Sequence, residues 1–460
     1  MNDTPDKPKL EPAILVIFGI TGDLAQRKLL PALYHLVKHK LLHDHTEIVG
    51  LSRRKLSVDD LLAKVELCVL EQDNICDPVV MQELRGKLSM IRLNPLAGED
   101  YDNLKQSLDT IESSHGVCMN RLYYLSIPPA VYSTAVHNLG KHDLNGSCKH
   151  GNATTRLLVE KPFGYDLETA KELIASTEKY FKEEQIFRID HYLAKESAQN
   201  ILTFRRHNPV FTDSWDGTHV SKISVVAHEK IGIEGRGSFY DDVGALRDLV
   251  QSHLLQLLAL VMLDTDGTDE DTALHSAKQA LLASLRPVEV EKTIRGQYEG
   301  YKDEASNPTS TTETFVHLQL ESTLPKWRNT RISIETGKAL SDKKTEIEMV
   351  FTDSTKSTNE LKFRIHPNEG IYLTLTAKKP DFEHRTQRVS MDFSYNGAFD
   401  EPLHPDAYER VLVDAVRGDH SLFATSSEVI ASWQALQPIL SYWSKSDNIS
   451  IYKVGSDGPV

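Results

Sequence analysis

Ala13-Ile14-Leu15-Val16-Ile17-Phe18 runs directly into Gly19-Ile20-Thr21-Gly22-Asp23-Leu24-Ala25 and then QRKLLPALYHLVKHK (26–40). A run with no polar residue predicts a strand buried on both faces of a parallel sheet. After it, Leu29, Leu30, Leu33, Leu36 and Val37 recur near a 3.6 period, so a helix follows. Pro31 predicts a kink, or a helix start displaced towards it. Strand, two-glycine turn and helix make a nucleotide-binding turn. Glycines let the backbone approach a pyrophosphate, and the helix N-terminus offers free N–H groups. The spacing is G-x-x-G rather than the usual G-x-G-x-x-G. A tight turn capped by Asp23 fits the same residues.

Working outward, the next strand is predicted at 46–51 (TEIVGL), ending in Ser52-Arg53-Arg54-Lys55. NAD-binding folds place an acid there to hold the ribose 2′-hydroxyl. Here the place is basic, and an arginine fork matches a 2′-phosphate, which favours NADP, with NAD as the weaker alternative. An exposed Arg-Arg pair is the plain alternative. Residues 57–108 read as polar crossover helices. Further strands are predicted at 121–127 (RLYYLSI) and 155–159 (TRLLV), the second ending in Glu160-Lys161-Pro162-Phe163-Gly164. A charged pair at the carboxyl end of a buried strand sits where open α/β sheets bind ligands, and Lys161-Pro162 is a candidate cis peptide. An amphipathic helix is expected over 166–181.

FRIDHYLAKE (187–196) gathers an acid, an imidazole, a phenol and an ammonium. If Asp190 opens a helix, His191 and Lys195 share a face with Tyr192 beside them, a grip for a phosphate or carboxylate. A capped surface helix fits equally well. Beyond Lys195, segments such as 219–231 (HVSKISVVAHEKI) and 314–322 (TFVHLQLES) alternate apolar and polar, predicting an antiparallel sheet with one covered face. The strongest helical pattern is 246–263 (LRDLVQSHLLQLLALVML). His253 lies in its apolar stripe, where a hydrogen-bonded core histidine is the ordinary occupant. Asp248, five residues earlier, falls roughly 140° away on an α-helix. Loops are expected at 267–271 and 303–312.

The chain has 460 residues, 40% hydrophobic and 26% charged, with net charge −14. That is the composition of a globular protein of two domains. It argues against nucleic acid and anionic membranes as partners. The polar start (MNDTPDKPKLEP) is no signal peptide, and no apolar run is long enough to span a membrane. Four cysteines without a C-x-x-C pair suit free thiols in a reducing, cytoplasmic setting. No metal-ligand set is read. The fold class expected is α/β plus α+β. Residues 1–186 form a Rossmann-type parallel-sheet domain, and 187–460 a larger domain with a mostly antiparallel sheet and helices.

GITGDLAQRKLLPALY, VEKPFG, FRIDHYLAKE, HEKIGIEGRGSFYDDVGALRDLVQSHLLQ, RGQYEGY, STTETFV, ETGKAL, HPNEGIY and PDAYERVLVDAVRGD occur in that order. In these stretches the chain resembles the glucose-6-phosphate dehydrogenase family along nearly its whole length. The resemblance implies oxidation of glucose 6-phosphate at C1 by NADP, in a homodimer or dimer of dimers. It makes His253 the general base and Asp190 the group that orients it, a pairing whose chemistry suits a histidine working near its own pKa. It places His191, Tyr192 and Lys195 on the 6-phosphate, and Glu229, Asp248 and Lys338 on the sugar. Gly19 and the rest of its loop (Ile20, Thr21, Gly22, Asp23, Leu24), with Arg53, Tyr132 and Lys161, hold the coenzyme; Lys161 also reaches substrate.

Some positions depart from the family. Ala194 replaces a glycine, which is tolerable at negative φ and strained at positive φ. Lys343 stands where relatives carry an arginine of the phosphate site, keeping charge but losing the fork. Glu335 and Glu348 occupy positions that are basic where a second, structural NADP binds, so that second site is not expected. Retention of His191, Tyr192 and Lys195 argues against unphosphorylated glucose as substrate. Retention of His253 and Asp190 argues against a silent nucleotide-binding paralogue.

Overall fold

Strand β1 (Ala13–Phe18) is buried along its whole length. In the computed structural model, which describes residues 9–146, 153–264, 271–352, 357–398 and 405–459, it lies inside a seven-stranded sheet. Its companions are β2 (Glu47–Ser52), β3 (Leu88–Arg92), β4 (Asn120–Leu125), β5 (Thr155–Val159) and β6 (Ile186–Ile189). The parallel order is β6-β5-β4-β1-β2-β3. After Gly22 the chain enters a π-helical turn, Ala25–Leu29, continued by an α-helix, Leu30–Lys38, with Pro31 in its first turn. Proline is accepted there because first-turn N–H groups have no intrahelical partner.

The second sheet has ten strands. These are β7 (Val220–His228), β8 (Leu285–Pro287), β9 (Ile294–Tyr298), β10 (Phe315–Ser322), β11 (Arg331–Gly337), β12 (Lys344–Thr352), β13 (Thr358–His366), β14 (Gly370–Lys378), β15 (Thr386–Ser394) and β17 (Ser450–Tyr452), while β16 (Phe423–Ala424) belongs to the first sheet. Pairing is antiparallel except β7 with β11 and β9 with β17. Alternation is clean in β10 from Val316 onward, where Val316, Leu318 and Leu320 are buried while Gln319 and Glu321 are exposed. Parallel and mostly antiparallel sheets are thus both present, as expected.

Several expectations need correction. Residues 57–108 are not purely helical: they contain β3, an edge strand entered directly from the helix Pro78–Lys87. Asp190 opens no helix; the segment after β6 is a turn, and the helix starts at Glu196 with Lys195 at its N-cap. Asp190 Oδ1 accepts from the Tyr192 amide at 2.9 Å and its carbonyl from Leu193 at 3.0 Å, a side-chain turn that competes with helix. The chain does not divide at residue 186. One compact unit comprises Met1–Gly164, Lys171–Ala194 and Pro405–Ser426; the other comprises Tyr165–Ala170, Lys195–His404 and Ser427–Val460.

The late return has a physical cause within the first unit. The helix Ala407–Arg417 buries Val411, Leu412, Ala415 and Val416 with β-sheet residues Leu122, Leu158 and Phe187. β16 then pairs antiparallel with β6. The free-thiol reading also changes: Cys68 and Cys76 are free, Cys118 is disulfide-bonded, and Cys148 lies outside the described residues. Spacing alone cannot reveal a pairing of distant cysteines. Of the predicted loops, 267–270 lie outside the described residues, and 303–312 begins within a short helix, Tyr301–Glu304. Among the described residues no helix is long and apolar enough to cross a membrane.

Candidate active site

The first unit holds the nucleotide half. Gly19 has φ +72°, and a Cβ there would meet the Ser126 carbonyl oxygen at 2.2 Å, so only glycine fits. The Gly19 and Ile20 amides both donate to the Leu51 carbonyl (3.2 and 3.3 Å), and the Gly22 amide to the Gly19 carbonyl (2.8 Å). These bonds pin the turn to β2. Beside it is a cavity of about 250 Å³ lined by Gly19, Thr21, Gly22, Arg53, Asn94 and Ser126 among others. An adjoining cleft of about 330 Å³ adds Gln26, Arg54 and Lys64 to Thr21 and Arg53. Three cations therefore surround the end of β2. A dinucleotide fits this cradle, with backbone N–H groups at the pyrophosphate.

Not every predicted cofactor residue lines these cavities. Ile20 is fully buried in the core, and Leu24 packs against it. Asp23 pairs with Arg27 at 2.8 Å on the surface. Tyr132 is buried and donates to the Glu160 carbonyl at 3.3 Å; its neighbour Val131 faces the cavity.

At the end of β5, Glu160 is buried and accepts from Tyr124 Oη at 2.5 Å. Burial pushes its carboxyl up to about 7, against the Tyr124 hydrogen bond and the Lys161 charge; the Asp190 charge adds to the rise. The next peptide, Lys161-Pro162, is cis. Because the folded state holds this proton more tightly than the unfolded chain, Glu160 favours folding at acid pH. That contribution is lost as pH rises from about 4.5 through about 7. Denaturant titrations of Glu160→Gln and wild type are therefore expected to diverge by about 3 kcal/mol between pH 5 and 8, the variant lacking this part of the decline. Parallel curves would show that the carboxyl is ionised throughout.

Asp190, also of the first unit, is 2% exposed. The His191 ring lies 5.2 Å from that of Tyr192 and stacks at 6.4 Å and 16° on Tyr408. Tyr408 sits on the helix that returns late in the chain, and sequence reasoning missed it. Ala194 is not among the residues with positive φ, so its extra methyl group is accommodated.

The second unit holds the other half. His253 is 1% exposed and lies in a π-helical segment, Leu246–Leu254. The i→i+5 bonding of such a segment brings residues five apart nearly one above the other. Asp248 and His253 therefore share a side, where an α-helix would have turned them apart. Lys338 is buried, ion-pairs with Glu229, and places Nζ 5.1 Å from the centre of the Tyr240 ring. Glu229 is fixed at both ends of its backbone, its amide donating to Gly337 and its carbonyl accepting from Leu340. Ala339, next to Lys338, has φ +53°, a strained value for a residue with a Cβ. Burial first, then the charges of Lys195 and the exposed Lys343, lower the pKa of His366, so a neutral imidazole stands beside two lysines. His366 was not singled out by sequence. Glu335 is held between His228 (2.9 Å) and His317 (3.1 Å), and Glu348 lies 3.8 Å from Lys362.

A Rossmann-type unit with a phosphate cradle, alongside a second unit with a buried histidine in a π-turn, defines a nucleotide-dependent oxidoreductase class. Known proteins narrow it further. Residues 16–200 match the family model described as glucose-6-phosphate dehydrogenase, NAD binding domain, and 202–460 that of its C-terminal domain. The chain is 35% identical to the glucose-6-phosphate 1-dehydrogenase of Chlamydia muridarum, over 96% of this chain and 92% of that one. A solved glucose-6-phosphate dehydrogenase in complex with its substrate glucose 6-phosphate superposes with TM-score 0.91 at 31% identity, covering 98% and 96%. The enzyme from Mycobacterium avium gives 0.85 at 33%, covering 98% and 96%. The chain belongs to the glucose-6-phosphate dehydrogenase family.

Proposed function

We propose that this protein oxidises D-glucose 6-phosphate at C1 to 6-phosphogluconolactone, the first step of the oxidative pentose phosphate pathway, with NADP preferred to NAD. The observation that carries the reading is the full-length likeness to an enzyme solved with glucose 6-phosphate. It is supported by the match of both domain models and by retention of His253, Asp190, His191, Tyr192 and Lys195. When bound, NADP supplies the hydride acceptor. Gly19, Thr21, Gly22 and Arg53 hold it, Arg53 with Arg54 and Lys64 favouring the 2′-phosphate. His253 takes the C1 hydroxyl proton, and its burial excludes water that would compete for that proton. Asp190 keeps the orienting role that the resemblance gives it. Glu229, Asp248 and Lys338 hold sugar hydroxyls; His191, Tyr192, Lys195 and Lys343 hold the phosphate, and Lys161 serves both ligands. We read it as a cytoplasmic homodimer or dimer of dimers.

Initial rates followed at the reduced-nicotinamide absorbance test this. Fast reduction is expected with glucose 6-phosphate and NADP, slower reduction with NAD, and little with glucose. Equal rates with glucose would remove the phosphate site, and equal rates with NAD would remove the role of Arg53. No reduction by folded protein with any pair would overturn the function.

A further inference from the structure

Four tyrosines, Tyr240, Tyr298, Tyr301 and Tyr452, share one core of the second unit with Ile233, Phe315, Ala339 and Leu340. A buried phenol keeps its apolar body dry but needs a partner for its hydroxyl. Three of the four have one. Tyr298 donates to Glu304 at 2.6 Å, Tyr301 to Asp241 at 2.9 Å, and Tyr452 to the Lys338 carbonyl at 2.7 Å. Tyr240 does not: it is 3% exposed, and its hydroxyl has no hydrogen-bond partner among the described residues.

The surroundings of that hydroxyl are unusual. Tyr301 closes on the ring edge-on at 6.3 Å, and the Lys338 ammonium lies over its face. The charges of Asp248, Glu313 and Glu229 all act on the phenol, and with burial they hold it protonated far above neutrality. It is therefore a permanent donor, and it sits among the very acids and lysine assigned to the sugar. A donor left unmet in a water-poor site costs stability, and sites built to bond a substrate hydroxyl carry such a cost until substrate arrives.

We infer that Tyr240 is a further substrate-contact residue, whose hydroxyl donates to an oxygen of the bound sugar and sharpens selection against deoxy analogues. The inference rests on the function proposed above and names one more contact in that site.

The test is Tyr240→Phe, with Tyr298→Phe as the internally bonded control, read by thermal midpoint and by calorimetric binding of glucose 6-phosphate and its monodeoxy analogues. Tyr240→Phe is expected to melt at or above the wild-type midpoint and to bind glucose 6-phosphate about 3- to 10-fold more weakly. It is also expected to lose the wild-type preference against one particular deoxy sugar phosphate. Tyr298→Phe is expected to lower the midpoint and leave sugar affinity unchanged. Wild-type affinity for glucose 6-phosphate in Tyr240→Phe would overturn the inference. So would weaker binding that affects every analogue equally and comes with a lowered midpoint, since that is structural damage. Failure of wild type itself to bind glucose 6-phosphate would instead overturn the proposed function, and the inference would fall with it.

Discussion

His253→Asn is expected to lower kcat by two to four orders of magnitude while leaving KM for glucose 6-phosphate within a few-fold of wild type. The variant keeps a polar side chain in the same buried place but cannot take a proton near neutral pH. Loss of a positioned general base costs ~10²–10⁴ in rate, or about 3–5 kcal/mol of barrier. The π-helical segment makes the site sensitive. It turns Asp248 and His253 to one side, so on the proposed function a sugar hydroxyl held by Asp248 would be presented to the imidazole. Ground-state contacts through Glu229 and Lys338 are untouched by the change, which is why KM should hold. Steady-state kinetics with saturating NADP check this. Near-normal turnover would remove His253 from the role of base, and a raised KM with normal kcat would make it a binding residue.

Lys278→Met is expected to destabilise the second unit by about 3–5 kcal/mol, lowering its thermal midpoint by roughly 6–20 °C. Lys278 and Glu428 are both wholly buried, 2.8 Å apart, on the helices Asp271–Ser284 and Ser426–Trp443. Gln256 donates to the same carboxylate at 3.0 Å, and His275 lies 2.6 Å from its other oxygen. Burial alone would push Glu428 up. Lys278 and His275 outweigh it and hold the carboxyl at about 2. Its stabilising contribution is therefore present above the unfolded value near 4.5 and lost as pH falls through about 2. Methionine keeps the stem and removes the charge, leaving the buried carboxylate without its lysine and with Gln256 and His275 as remaining partners. Adding Glu428→Leu should recover most of the loss, because an apolar pair needs no compensation. A single variant as stable as wild type would mean that water reaches Glu428.

Legibility followed the number of independent constraints on each segment. β1 and its turn were readable because an all-apolar strand, two glycines and a periodic helix agree. β3 was not, since an edge strand with only Leu88 buried carries too few apolar residues to stand out from the helix before it. FRIDHYLAKE was read for its chemistry but not its conformation: the helical face drawn through His191 and Lys195 gives way to a turn around Asp190. The stripe over 246–263 located His253. It did not reveal the π-helical winding of Leu246–Leu254, because a segment buried on nearly every side marks its burial in the sequence without fixing how it is wound. Tyr408, His366 and the unmet hydroxyl of Tyr240 depend on which distant segments meet, and local periodicity says nothing of that.

The late return of residues 405–426 also matters while the chain is being made. β6 leaves the ribosome long before β16, its antiparallel partner, so one edge of the first sheet stays bare for much of synthesis. At ~5–20 residues per second the wait is roughly 12–47 s. A bare strand edge is a template for pairing with a neighbouring nascent chain. A message cut short after residue 404 would thus yield not a free-standing coenzyme-binding half but a sticky fragment, and this protein is expected to depend on chaperone cover until its last tenth is translated.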